Sequence, residues 1–169
     1  MNKKEYYLAV LNRIDGMLSF AETKISFMLA YMGVLLATLG SQADGIKSLL
    51  QSTNRGVITT TLILLALIIV LLFCELYYLS KVLFPRLKFS KRTSMVYFSD
   101  ISKLPEDKYL ESMKKMKEEE IEVDLLSQIH AISYVTNEKF ENIQIATYFL
   151  GCLTVLWLIM IIEIIIFSA

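Results

Sequence analysis

Reactive side chains are what this sequence has least of. It holds one histidine, one tryptophan, two cysteines and two prolines, and its formal net charge is zero. Histidine is the usual acid–base group near neutral pH. His130 stands in a helical pattern without a partner motif, and reads as a helix-surface or packing residue. Cys74 and Cys152 lie far apart in apolar runs, without the spacing of a metal or redox pair. They read as buried packing residues. No HExxH, Gly-rich phosphate loop or GxSxG motif occurs. No enzyme, metal or cofactor is therefore expected. Zero net charge marks no nucleic-acid partner, and none is expected. The scarcity of proline and glycine leaves long stretches free to stay helical. Neither occurs between Glu106 and Leu150.

Apolar length is what the chain has in plenty. It is 55% hydrophobic with a mean hydropathy of +0.52, too apolar for a soluble protein of 169 residues. The 20% of residues that are charged cluster together. This composition predicts one all-α integral membrane protein with three transmembrane helices and no cleavable signal peptide. Residues 1–24 form a helix leading into span one, at 25–43. That uncharged run reaches roughly 28 Å, just enough to cross. Residues 44–56 are a short polar loop. Span two, at 57–79, is uncharged until Glu75, and Tyr77 and Tyr78 follow in the place of an aromatic belt. Residues 80–145 are a polar insert, a loop and then a helix that starts after Pro105. The last span, 146–167, continues a helix that begins near Ile121. In the insert, the run Lys114 to Glu120 reads as an ordinary solvated helix face.

Basic residues set the expected orientation. If the insert is cytoplasmic, fifteen of the seventeen Lys and Arg residues lie inside, and only Lys47 and Arg55 lie outside. The N-terminus is then cytoplasmic and the C-terminus extracytoplasmic. Glu75 and Glu163 sit in apolar runs near opposite faces, so they should not pair. Each is either a functional acid or a carboxylate that snorkels to an interface.

Helix one carries a stripe of small residues, Gly16, Ser19, Thr23, Ser26, Ala30, Gly33, Ala37 and Gly40. Their spacing of three and four is a 3.5-residue repeat. Small residues let helices approach closely in lipid. Two readings stay open. The stripe packs this helix on the chain's own spans, or it joins copies into a homo-oligomer.

One polar constellation is expected just below the membrane. Arg13, Asp15 and Lys24 come from helix one, and Gln128 and Lys139 from helix three. Tyr97, Phe98 and Asp100 come from the insert's loop. Basic groups suit a phosphate, aromatics stack on a base, and Gln or Asp read its edge. The alternative is a polar network that only fixes the helix stems.

These same segments carry a resemblance. NRIDGMLSFAETKISFMLAYMGVLLATL resembles the N-terminal span of the Pycsar transmembrane effector family, with its Arg-x-Asp and Ala-x-x-Lys-x-Ser. SMVYFSDISKLPEDKYLESM resembles that family's block of paired aromatics followed by Asp-Ile, with Tyr97 where a second Phe is usual. DLLSQIHAISYVTNEKFENIQIATYFL resembles its Gln-Ile and downstream Lys before the last span. The resemblance implies an anti-phage effector in the bacterial inner membrane. A partner nucleotide cyclase would make a cyclic pyrimidine mononucleotide, cUMP or cCMP. The effector would then disrupt the lipid bilayer and arrest or kill the cell. Other classes consistent with the residues are a holin-like constitutive pore former and a membrane scaffold whose insert recruits a protein.

Overall fold

The 3.5-residue repeat recurs on the buried face of every spanning helix. The computed structural model describes residues 2–84 and 94–167, with Phe98 described by its backbone. All regular elements among them are α-helices: α1 (Lys3–Ser41), α2 (Ala43–Leu50), α3 (Arg55–Leu83), α4 (Phe98–Ile101), α5 (Glu106–Lys115) and α6 (Glu118–Phe167). α1, α3 and α6 are each long and apolar enough to cross a membrane. The helices divide into two units. An apolar unit comprises residues 21–84 and 140–167, and a polar unit comprises residues 2–20 and 94–139.

In the apolar unit α1 buries Ala21, Ile25, Met28, Met32 and Leu35. α3 buries Val57, Thr61, Ile68, Glu75, Leu79 and Val82. α6 buries Ile143, Ala146, Leu153, Met160 and Ile164. Spacings of three, four and seven keep one seam of each helix turned inward, the condition for knobs-into-holes packing. One core cluster joins Ala21, Ile25, Met28, Leu79, Val82, Ile143 and Ala146. The other joins Leu35, Leu49, Val57, Ile68, Leu153, Met160 and Ile164. Bulky residues such as Phe27 and Phe73 remain exposed, as a lipid-facing surface requires. Hydroxyls on these helices are satisfied locally: Thr61 donates to the Val57 carbonyl at 2.8 Å and Thr147 to that of Ile143 at 2.8 Å.

α2 occupies the segment expected to be a loop. It has no side-chain cap, so it is held by docking. Leu49 is fully buried in the second cluster, and α2 packs on α3. The backbone of Gly45 passes so close to α6 that a Cβ there would lie 2.7 Å from Ile164 Cγ2. α3 then starts from Asn54, whose side chain accepts from the Gly56 N–H at 2.9 Å.

Four more expectations are corrected. The small-residue stripe does not carry the chain's own packing, because all eight residues are exposed. A Cβ on Gly16, Gly33 or Gly40 would meet nothing within 4 Å. Bulky Ile, Met and Leu on the adjoining face fill the core instead. Cys152 is exposed and Cys74 only half-buried, since both lie off the inward seam. Glu75 and Glu163 point inward, at 0% and 8% exposure, so neither snorkels. The run Lys114 to Glu120 is not one helix face, for α5 ends and α6 begins within it. Lys114 and Lys115 close α5, and Glu118, Glu119 and Glu120 open α6, each suiting its helix dipole. Glu120 also accepts from the Lys117 N–H at 2.8 Å. Charge therefore breaks the chain where no Gly or Pro does. α6 then runs unbroken into the last span from Glu118, close to the expected start. The first half of the expected loop, residues 85–93, lies outside the described residues.

Candidate functional site

In the polar unit the start of α1 lies beside the start of α6. Lys4 Nζ meets Glu118 Oε1 at 2.7 Å, and the Tyr7 hydroxyl donates to Glu122 Oε1 at 2.9 Å. The Lys4 ammonium lowers the pKa of Glu118, and the bond to Glu122 raises that of Tyr7. The two pairs have nearly the same sequence offset, so the helices run parallel. Continued along them, that offset sets Arg13 level with Gln128.

The segment between residues 94 and 104 is tied down by two carboxylates. Asp100 Oδ2 accepts from the Ser94 N–H at 3.0 Å, and Asp124 Oδ2 accepts from the Met95 N–H at 2.8 Å. The Ser94 hydroxyl accepts from the N–H groups of Val96 and Tyr97 and so turns the chain into α4. The Tyr109 hydroxyl on α5 donates to the Met95 carbonyl at 3.4 Å. These ties leave a cavity of about 730 Å³. The turn lines it with Ser94 and Met95, α5 with Ser112 and Lys115, and α6 with Glu119, Glu120, Val123, Asp124, Ser127 and Gln128. Its volume falls in the range of roughly 300–1,000 Å³ typical of small-molecule pockets. Its charge is mostly acidic, which suits hydrogen-bond donors better than an anion.

The predicted site residues divide over this frame. Gln128 is buried at 8% exposure and lines the cavity. Tyr97 is half-buried on the tied turn, directly before Phe98. Asp100 serves the turn, bonded to Ser94 and paired with Lys103 at 3.5 Å. Arg13 and Asp15 are exposed on α1. Lys139 is buried at 7% exposure, but it stands three turns beyond Gln128, about 16 Å along α6. Lys24 is exposed, lies as far beyond Arg13 on α1, and belongs to the apolar unit. The constellation is thus longer than one small ligand. His130 is exposed. Sequence reasoning missed Asp124 and Ser94. Asp124 had a signal, since it stands four residues before Gln128 on the same helix face. Ser94 had none.

Three apolar spanning helices, two of them extended into a polar unit with its own cavity, define an α-helical multi-span membrane protein. The particular family follows from comparison with known proteins. A family model described as the Pycsar effector protein domain, PycTM, matches residues 6–166, and the chain belongs to that family. It is 28% identical over 158 residues to the Pycsar effector protein GmPycTM of Gulbenkiania mobilis, covering 81% of this chain and 80% of that protein. No solved structure matches the chain. The protein is an anti-phage membrane effector.

Proposed function

We propose that this effector sits in the bacterial inner membrane with its polar unit in the cytoplasm. There it senses a cyclic pyrimidine mononucleotide, cUMP or cCMP, made by a partner cyclase, and it then breaches the membrane. The observation that carries the reading is a polar cavity of small-molecule size in a chain of the Pycsar effector family; its acidic lining suits the donor groups of a base, and the phosphate is left to Arg13, which is outside the lining. The bias of basic residues supports the orientation. Gln128 offers a donor and an acceptor to the base edge, Tyr97 stacks on its face, and Arg13 takes the phosphate, while the Phe98 side chain lies outside what the structure describes. Asp124 orients the turn above Gln128. Asp100 acts on the turn rather than on the ligand, and Asp15 stands exposed on α1. Lys24 and Lys139 lie further away than one mononucleotide extends, so each level needs its own test.

The outward-facing stripe supports a homo-oligomer. Three spans make a poor wall for an aqueous lesion, and Gly16, Ser19, Thr23, Ser26, Ala30, Gly33, Ala37 and Gly40 offer a smooth contact for a second copy. The reading is tested in two ways. Cells expressing the chain should keep their membrane potential until cUMP or cCMP is supplied, and depolarisation without either would favour a constitutive pore. Purified full-length protein should lose roughly tenfold or more in nucleotide affinity with Gln128→Ala, through the loss of buried hydrogen bonds. Loss of affinity in Lys24→Ala or Lys139→Ala, with Gln128→Ala at wild-type affinity, would move the site along the stems.

A further inference from the structure

The apolar unit buries a carboxyl group that the resting arrangement does not use. Glu75 lies on the inward seam of α3, seven residues after Ile68 and four before Leu79. It is 0% exposed, and neither of its side-chain oxygens has a hydrogen-bond partner. Glu163 differs, since the Thr60 hydroxyl donates to one of its oxygens. Buried polar groups are almost always bonded, and an isolated ionised carboxylate in an apolar interior costs several kcal/mol. The resting packing therefore offers Glu75 no group that would stabilise a carboxylate.

The groups around its level offer no relief. Tyr78 stacks on Phe149, with ring centroids 5.6 Å apart, and this places Glu75 about one turn from that contact, level with Cys152. Among the described residues, the titratable groups near that level are Cys74 and Tyr78 on α3, Tyr31 on α1, and Cys152 and Tyr148 on α6. None of these is a cation. Tyr31 is already bonded to Thr154 at 3.2 Å. Lys81, the next cation along α3, lies over the rings of Tyr77 and Tyr78 at 4.5 and 5.3 Å. An acid that weakens the closed packing and gains nothing in it has its partner in another arrangement.

We infer that Glu75 is the cation-binding point of the breached state, so that the leak this protein opens is selective for cations over anions. When the spans repack, water reaches the carboxyl group and the proton leaves to it. The carboxylate then draws K⁺ or Na⁺. In a symmetric oligomer each copy supplies one Glu75, and a ring of carboxylates is a known basis of cation selectivity. The inference rests on the proposed nucleotide-triggered breach and names what passes through it.

The test uses purified full-length protein in a planar bilayer with asymmetric KCl. Each of cUMP and cCMP is added in turn. The wild-type reversal potential should lie near that of K⁺. Glu75→Gln replaces the acid with a neutral group of nearly the same shape, and its helicity by circular dichroism should match wild type. Its reversal potential should move to near zero while current persists, and Glu75→Asp should restore selectivity. A wild-type reversal potential near zero, or a Glu75→Gln leak as cation-selective as wild type, overturns the inference and leaves the breach standing. No wild-type current with either nucleotide overturns both.

Discussion

Tyr7 shows how single contacts in the polar unit report on its folding. Its hydroxyl donates to Glu122, and this bond raises its pKa above the ordinary 10.0. A raised pKa means that the folded state holds the proton more tightly. The bond's contribution is thus complete at neutral pH, and it is lost as pH rises through the folded value. The difference in tyrosinate absorbance between wild type and Tyr7→Phe should give a midpoint above 10.0. A midpoint at or below that value would break the pairing. Glu118 has the opposite sign. Lys4 lowers its pKa, so its contribution holds at neutral pH and is lost as pH falls through the lowered value. Both partners are well exposed, and such pairs add little to stability.

Glycine divides the helices into positions that are already tight and positions that stay open. Gly45 on α2 is tight, because any Cβ there meets Ile164. Gly16 on α1 is open. Alanine at Gly16 should raise stability by about 0.5–1 kcal/mol through helix propensity alone. Leucine at Gly45 should lower it by about 1–3 kcal/mol, since Ile164 must be displaced. The thermal midpoints in detergent should therefore move in opposite directions. A Gly45→Leu midpoint equal to wild type would mean that α2 is not docked on α6.

At the scale of the molecule, Gly33 separates folding from assembly. A side chain at Gly33 meets nothing in its own chain. Gly33→Leu should therefore insert and bind nucleotide like wild type. In an oligomer it would intrude where two backbones meet, at a cost of about 1–3 kcal/mol per contact. Cross-linking in native membranes should show the oligomer lost, and the cells should survive. Wild-type cross-linking and depolarisation would exclude the stripe as the contact. Topology is checked separately. Single cysteines at Ser52 and Ser112 should label from opposite sides of the membrane, and labelling of both from one side would refute three crossings.

Composition and hydropathy alone determined that the chain is an all-α, three-span membrane protein. They also marked three apolar runs that lie within α1, α3 and α6, the helix that starts after Pro105 and the helical run-in to the last of these runs. Such features follow from local length and local backbone propensity, so neighbours in space are not needed to read them. Tertiary structure decided which face of α1 turns inward. Both its small-residue stripe and its Ile, Met and Leu face repeat every 3.5 residues, and only the volume to be filled between α3 and α6 chooses between them. Packing likewise made a helix of Ala43–Leu50, which holds its shape by burying Leu49. The site was half legible. Gln128 was singled out and lines the candidate cavity, whereas Asp100 ties the turn, as does Asp124, which was not singled out. Residue type shows what a side chain can bond, and only the fold supplies the N–H groups of Ser94 and Met95 as partners. Glu75 was visible as an acid in an apolar run. That both its oxygens are sealed inside the packing without a partner follows from the meeting of three helices.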